Sequence, residues 1–201
     1  MDEFGSELKP LLIRLHTFAS SVHHKHFEGT TGNILSRSSA RSTVMLVRTL
    51  ANSMCPGSDI RSTLLKKAIQ ESLLQAVDVK INISKGQFEK RLHDYLMENG
   101  SKGLIQLFLT SYVNAVTWFT LSSALGSSLS PEKNRQLVRE IDSAASLRVQ
   151  AITARWRRWP RMDVRDAEVV STALETYLFG EQGSILKWQE IIRSESKGFS
   201  A

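Results

Sequence analysis

The stretch that decides the fold is Leu104–Leu125, LIQLFLTSYVNAVTWFTLSSAL, bracketed by Gly100, Ser101 and Gly103 before it and by Gly126, Ser127, Ser128, Ser130 and Pro131 after it. Its apolar residues point in every direction around a helix, and a helix apolar all round is surrounded by other helices or by lipid. Gln106, Thr110, Ser111, Asn114, Thr117, Thr120, Ser122 and Ser123 interrupt it, which argues against a lipid-facing span. The stretch reads as the central helix of a soluble bundle.

Amphipathic helices are expected on either side. Leu8, Leu11, Leu12, Leu15, Phe18, Ala19 and Val22 recur at three- and four-residue steps, with Pro10 placed in the first turn. Residues 28–42 are rich in Gly, Thr, Ser and Arg and read as a flexible loop. A second helix carries Val44, Val47, Leu50, Ala51 and Met54 and stops before Pro56-Gly57. Ser58 or Asp59 can cap a third, with Leu64, Leu65, Ala68, Ile69, Leu73, Ala76 and Val77 as its stripe. Ser84 and Gln87 have the spacing of a capping box, predicting a helix from there to Glu98. Only Val77–Ile83 alternates in the manner of a strand.

Beyond the central stretch, Ser130-Pro131-Glu132 supplies a cap, a proline at the first helical position and an acid in the first turn. The helix that follows holds Leu137, Val138, Ile141, Ala144, Ala145, Leu147, Val149 and Ile152 and is drawn to about Trp159. The short connection favours antiparallel packing on the central helix. Asp163 can cap a helix ended by Gly180, and Ser184 a last one with Ile185, Leu186, Trp188, Ile191 and Ile192. The expectation is all-α: residues 1–201 as one domain, a bundle of seven or eight helices around a central buried apolar helix.

Composition narrows the function classes. The chain has 201 residues, 41 % hydrophobic and 23 % charged, in the range of globular proteins. The single cysteine, Cys55, allows no internal disulfide framework and suits a reducing compartment. No secretory-type leader or apolar tail is read at the ends, so the expected setting is intracellular, in the cytoplasm or the nucleus. A formal charge of +6 attracts nucleic acid, anionic surfaces or acidic partners.

Catalytic signals are absent. No Gly-x-Ser-x-Gly, phosphate-cradling glycine loop or His-Glu-x-x-His occurs. Cys55 follows a helix C-terminus, where a thiolate is not favoured, and reads as buried and inert. Asp163 and Asp166 suit capping as well as acid–base chemistry. His16, His23, His24 and His26 cluster without a second cysteine, so they read as a solvated helix end rather than a metal site. No enzyme, cofactor or metal is expected. The densest surface signal is Arg155, Arg157, Arg158, Arg161 and Arg165, interleaved with Trp156 and Trp159. Such a patch can pair with phosphates, or the tryptophans can pack on the core and leave the arginines hydrated; the packing reading is favoured.

Three local features resemble the B-cell lymphoma-two family of apoptosis regulators. Leu92–Phe108, LHDYLMENGSKGLIQLF, is similar to the family's first homology motif, in which an acidic turn with glycine leads into the central helix. Leu73-Leu74-Gln75-Ala76-Val77-Asp78 resembles the leucine and aspartate of the death motif. Trp156 and Trp159 lie where the second homology motif places tryptophan. The family's Asn-Trp-Gly-Arg signature is here Ser101-Lys102-Gly103-Leu104, and Val77 stands where a small residue is usual. The resemblance implies a surface groove beside Phe88, Leu92, Tyr95, Leu104 and Phe108 that accepts a partner's amphipathic death-motif helix. The expected function is therefore a non-enzymatic helical interaction protein regulating apoptosis. The alternative is a basic, nucleocapsid-type nucleic-acid-binding protein, and a third class is association with an anionic membrane surface through the basic helix.

Overall fold

A computed structural model describes residues 5–23, 42–78, 83–125, 131–154, 162–181 and 183–197. Every regular element among them is an α-helix: α1 Gly5–His23, α2 Thr43–Met54, α3 Ile60–Ala76, α4 Lys85–Leu125, α5 Pro131–Ala154, α6 Val164–Phe179 and α7 Ser184–Lys197. The loop expected over 28–42 falls, Ser42 apart, outside the described residues. So do 79–82, the middle of the stretch that alternates like a strand; Val77 and Asp78 form a turn.

Most helix starts follow from local chemistry. A helix leaves its first backbone N–H groups without partners, and a side-chain oxygen at the cap supplies one. Ser42 accepts from the Met45 amide at 3.2 Å. Asp59, not Ser58, caps α3, accepting from the Ser62 amide at 2.7 Å. The Ser84–Gln87 box closes in both directions, at 3.0 and 3.3 Å. Asp163 and Asp166 form another box, so these two carboxylates serve the backbone. Two boundaries differ from the sequence reading. α1 begins at Gly5, which puts Pro10 inside the helix, beyond its first turn. Ser184 is the first residue of α7 rather than its cap, its buried hydroxyl lacks a partner, and Gly183 receives the Lys187 amide instead.

The helices expected over 84–98 and 104–125 are both present and meet end to end within α4, at a residue whose backbone is not helical. The glycine turn between them is a kink at Gly100, with φ 64° and ψ −176°. That backbone region is almost confined to glycine. The arm 85–99 packs on α1, where the ring of His93 lies 3.2 Å from the Val22 carbonyl and that of His23 lies 3.3 Å from the Leu96 carbonyl. Past the kink, no residue from 100 to 118 is exposed. Leu104, Ile105, Phe108, Leu109, Tyr112, Val113 and Val116 join one core with Leu12, Leu15 and Phe18 of α1, Leu50 of α2, Leu65 and Ile69 of α3 and Leu174 of α6. α4 packs against α1, α2, α3, α5 and α7. The stretch Lys85–Ser122 is long and apolar enough to cross a membrane, but 61 % of its apolar window is buried in the protein.

α5 runs antiparallel to α4. Gln106 donates to Thr153 at 2.7 Å, while Asn114 donates to Asp142 at 2.6 Å, so rising numbers on one helix meet falling numbers on the other. Leu137, Ile141, Ala145 and Val149 face inward, whereas Val138 and Leu147, counted with the apolar stripe of this helix, are exposed. Leu121, Leu137, Ile141, Trp188 and Ile192 form a second, smaller cluster where α4, α5 and α7 meet.

Candidate functional site

The expected groove is closed in this structure. Phe88, Leu92, Leu104 and Phe108 are fully buried in the main core, and Phe108 stacks on Tyr112 with ring centroids 6.2 Å apart. Their apolar pattern reported interior packing rather than an open surface. Tyr95 alone of the five is half-buried, and it lines a different feature described below.

Of the basic patch, Arg155, Arg157, Arg158 and Arg161, with Trp156 and Trp159, lie outside the described residues. Arg165 is exposed in the first turn of α6. Arg148, just upstream, sits 5.4 Å from the centroid of the Tyr177 ring and so helps hold α5 to α6.

The histidine cluster divides. His24 and His26 lie outside the described residues. His16 is 7 % exposed, so it is packed rather than solvated, which corrects the sequence reading. Among the described residues no three His, Cys, Asp or Glu side chains gather closely enough to hold a metal ion. Cys55 is buried, its thiol pointing at the Ser62 carbonyl 3.8 Å away. Burial raises the pKa of that thiol, which disfavours a nucleophilic thiolate. Burial likewise holds the Tyr112 phenol well above its usual value, with the Glu175 charge adding to the effect.

Two concave features among the described residues bear on binding. The first is an open hollow of about 820 Å³ between α5 and α7. Ala144, Leu147 and Trp188 give it apolar lining; Glu132, Arg135, Arg139 and Glu140 add charges of both signs. Leu147 is 68 % exposed.

The second is a polar cleft of about 380 Å³ where α4 runs between α3 and α5. Its lining includes the amides of Gln75, Asn99, Gln106 and Asn114, the hydroxyls of Tyr95 and Ser111, and the carboxylates of Glu71 and Asp142. The kink and Gly103 shape one end. A Cβ on residue 103 would lie 2.5 Å from Asn99 Cβ and 2.9 Å from Tyr95 Oη, so glycine lets these two side chains, from the arm before the kink, lie against the backbone just past it. Burial raises the pKa of Glu71, opposed by nearby Lys67, and raises that of Tyr95, with Glu98 adding to it. The sequence carried a signal for this cleft. Gln106, Thr110 and Asn114 recur at four-residue steps, drawing a polar line along an otherwise apolar helix.

Comparison of the chain with protein-family models, with curated proteins and with solved structures finds no match.

Proposed function

We propose that the protein is a non-enzymatic helical interaction protein, wrapped around 104–125 as its central helix, that binds a partner's amphipathic helix in the hollow between α5 and α7. One observation carries this reading: the hollow pairs apolar lining at Ala144, Leu147 and Trp188 with both signs of charge at Glu132, Arg135, Arg139 and Glu140. Grooves that take amphipathic helices need that combination, an apolar strip for the anchors and charges to fix the register. The setting is inside the cell, in the cytoplasm or the nucleus, and the chemistry needs no cofactor.

Calorimetry with a panel of amphipathic-helix peptides, death-motif peptides among them, tests the reading. A binding member is expected with a dissociation constant of about 10 μM, changing little with salt because apolar burial drives it. Leu147→Glu should weaken it at least tenfold and leave the melting temperature unchanged, since Leu147 is exposed. No binding across the panel at about 100 μM would refute the proposal. The apoptosis-regulator reading, drawn from the resemblance, places the peptide beside Phe88, Leu92, Tyr95, Leu104 and Phe108 and requires those side chains to be uncovered. Peptide-induced NMR shifts at 88–108 with none at Leu147 or Trp188 would favour it.

The alternative, a basic nucleic-acid-binding protein, is supported by the exposed Arg165 at the edge of the arginine-rich segment. It has a different signature: affinity falling steeply with salt, little sequence preference, and loss on changing Arg157, Arg158 and Arg161 together to Gln.

A further inference from the structure

We propose that the Asn99–Gly100 peptide unit is a site of self-modification, where the chain converts Asn99 to aspartate or isoaspartate and thereby loosens the arm 85–99 of α4. The chain has six asparagines, at 33, 52, 82, 99, 114 and 134, and only Asn99 precedes a glycine. That neighbour matters chemically. In this reaction the backbone nitrogen of the following residue attacks the side-chain carbonyl carbon of asparagine, and a Cβ on that residue crowds the attack.

The break in α4 supplies the geometry. Asn99 is exposed, and it is the last residue of the arm before Gly100. Nothing lies within 4 Å of the position a Cβ on Gly100 would take, so the ring that forms has room. Asn99 keeps helical backbone angles, and closure requires its ψ to swing by roughly 75° from the helical value, until the Gly100 nitrogen comes over the side-chain carbon. In an uninterrupted helix such a swing breaks the hydrogen-bond ladder. At the break, counter-rotation of ψ at Asn99 and φ at Gly100 turns the peptide plane and leaves the chain on either side nearly where it was. Gly100 starts at φ 64° and ψ −176°, at one edge of a glycine-only region. That region extends to a φ of about 180°, and the required swing carries φ to about 140°, still within it. The backbone that only glycine adopts is thus the one that admits the attack.

The step balances with water as its only co-reactant. The bond from the Gly100 nitrogen to Asn99 Cγ forms, the Cγ–Nδ2 bond breaks, and Nδ2 leaves as ammonia with the proton of the Gly100 amide. Water then opens the five-membered imide at either carbonyl. Opening at Cγ restores the backbone and leaves an aspartate. Opening at the main-chain carbonyl leaves isoaspartate, with the backbone routed through Cβ and one methylene longer. Both products act on the arm. Asn99 Nδ2 now donates to the Tyr95 carbonyl at 3.1 Å, and a carboxylate has no hydrogen to give. The new negative charge also falls on the last turn of the arm, where the helix dipole disfavours it, and beside Glu98.

The test uses the full chain, held folded at about pH 8 and 37 °C and sampled over about two weeks. Peptide mapping by mass spectrometry reads the gain of about 1 Da at each asparagine, and labelling by an isoaspartate-specific methyltransferase reads the rearranged product. Asn99 is expected to react about tenfold faster than any other asparagine, because it alone has an uncrowded neighbour. Asn99→Gln, whose ring would need one more atom, should show no reaction at that position. The consequence is read by hydrogen exchange. In Asn99→Asp the amides of 85–99 should exchange about tenfold faster than in the parent, while those of 104–117 keep their protection. The aged fraction of the parent, separated by ion exchange, gives the same readout without a variant. An Asn99 that stays intact in the folded chain would overturn the proposal. So would deamidation spread evenly over the asparagines, or parental exchange over 85–99 in both Asn99→Asp and the aged fraction.

Discussion

α4 runs through two apolar clusters that are built unequally. From 104 to 117 it lies in the main core with α1, α2, α3 and α6, where Phe18, Phe88 and Phe108 are fully enclosed. From 118 onward, among the described residues, it joins α5 and α7 in a cluster of Leu121, Leu137, Ile141, Trp188 and Ile192. Trp118 and Ala144 there are half-buried, and Phe119 is 52 % exposed. The same helix therefore changes from enclosed to one-sided within about one turn. The molecule is therefore firm at one end of this helix and able to yield at the other. Hydrophobic stabilisation follows the apolar area removed from water, so the smaller cluster should open at lower free energy than the main core. The proposed docking hollow belongs to this less enclosed end.

The largest expected effect contrasts two leucines. Leu109→Asp places an unpaired charge in the main core and should cost about 3–5 kcal/mol or prevent folding. Leu147→Asp, on the exposed wall of the hollow, should stay within about 0.5 kcal/mol of the parent. Denaturant titration of both variants measures the contrast, and similar losses would erase it.

Truncation sharpens the comparison. Phe108→Ala should cost about 4 kcal/mol because its cavity is walled on all sides. Trp188→Ala removes a larger side chain from a cluster that can collapse or admit water, and about 3 kcal/mol, the low end for such a truncation, is expected. A greater loss at Trp188 would show that the α5–α7 end is as tightly built as the rest.

Gly100→Ala addresses the joint between the α1-facing arm and the core segment of α4. An alanine there must adopt φ 64° and ψ −176°, at a cost of about 1–3 kcal/mol. Nothing lies within 4 Å of the position a Cβ would take, so the loss would come from backbone strain and not from a clash. Full stability in this variant would mean that the kink straightens readily.

The smallest effect concerns pH at the α3 cap. The Ser62 amide holds the Asp59 carboxyl below its ordinary pKa. A depressed folded pKa gives stabilisation that is present above the unfolded pKa and lost as pH falls through the folded one. Between pH 5 and pH 2 the parent should lose slightly more melting temperature than Asp59→Asn, whose amide caps without titrating. Identical pH profiles would remove this contribution.

Much of the secondary structure was legible because its determinants are local. Ser84 with Gln87 and Asp163 with Asp166 place helix starts through contacts within one turn, and Pro131 and Glu132 open α5 with residue types that suit a first turn. Interior stripes such as Leu8, Leu12 and Leu15 name the buried face without naming what covers it. That limit explains the groove. Phe88, Leu92, Leu104 and Phe108 are apolar whether they line a surface cleft or fill a core, and periodicity cannot tell one from the other.

Propensity, capping and hydrophobic period act over a few residues, and they specify most helices, their principal caps and the burial of 104–117. Tertiary packing set how the two helices meet at Gly100, enclosed His16 and left Leu147 outside. It alone gathered Glu71, Asn114 and Asp142 around one cleft. Those outcomes depend on which helix lies against which, and residues 71 and 142 acquire a common environment only when α3 and α5 have both docked on α4.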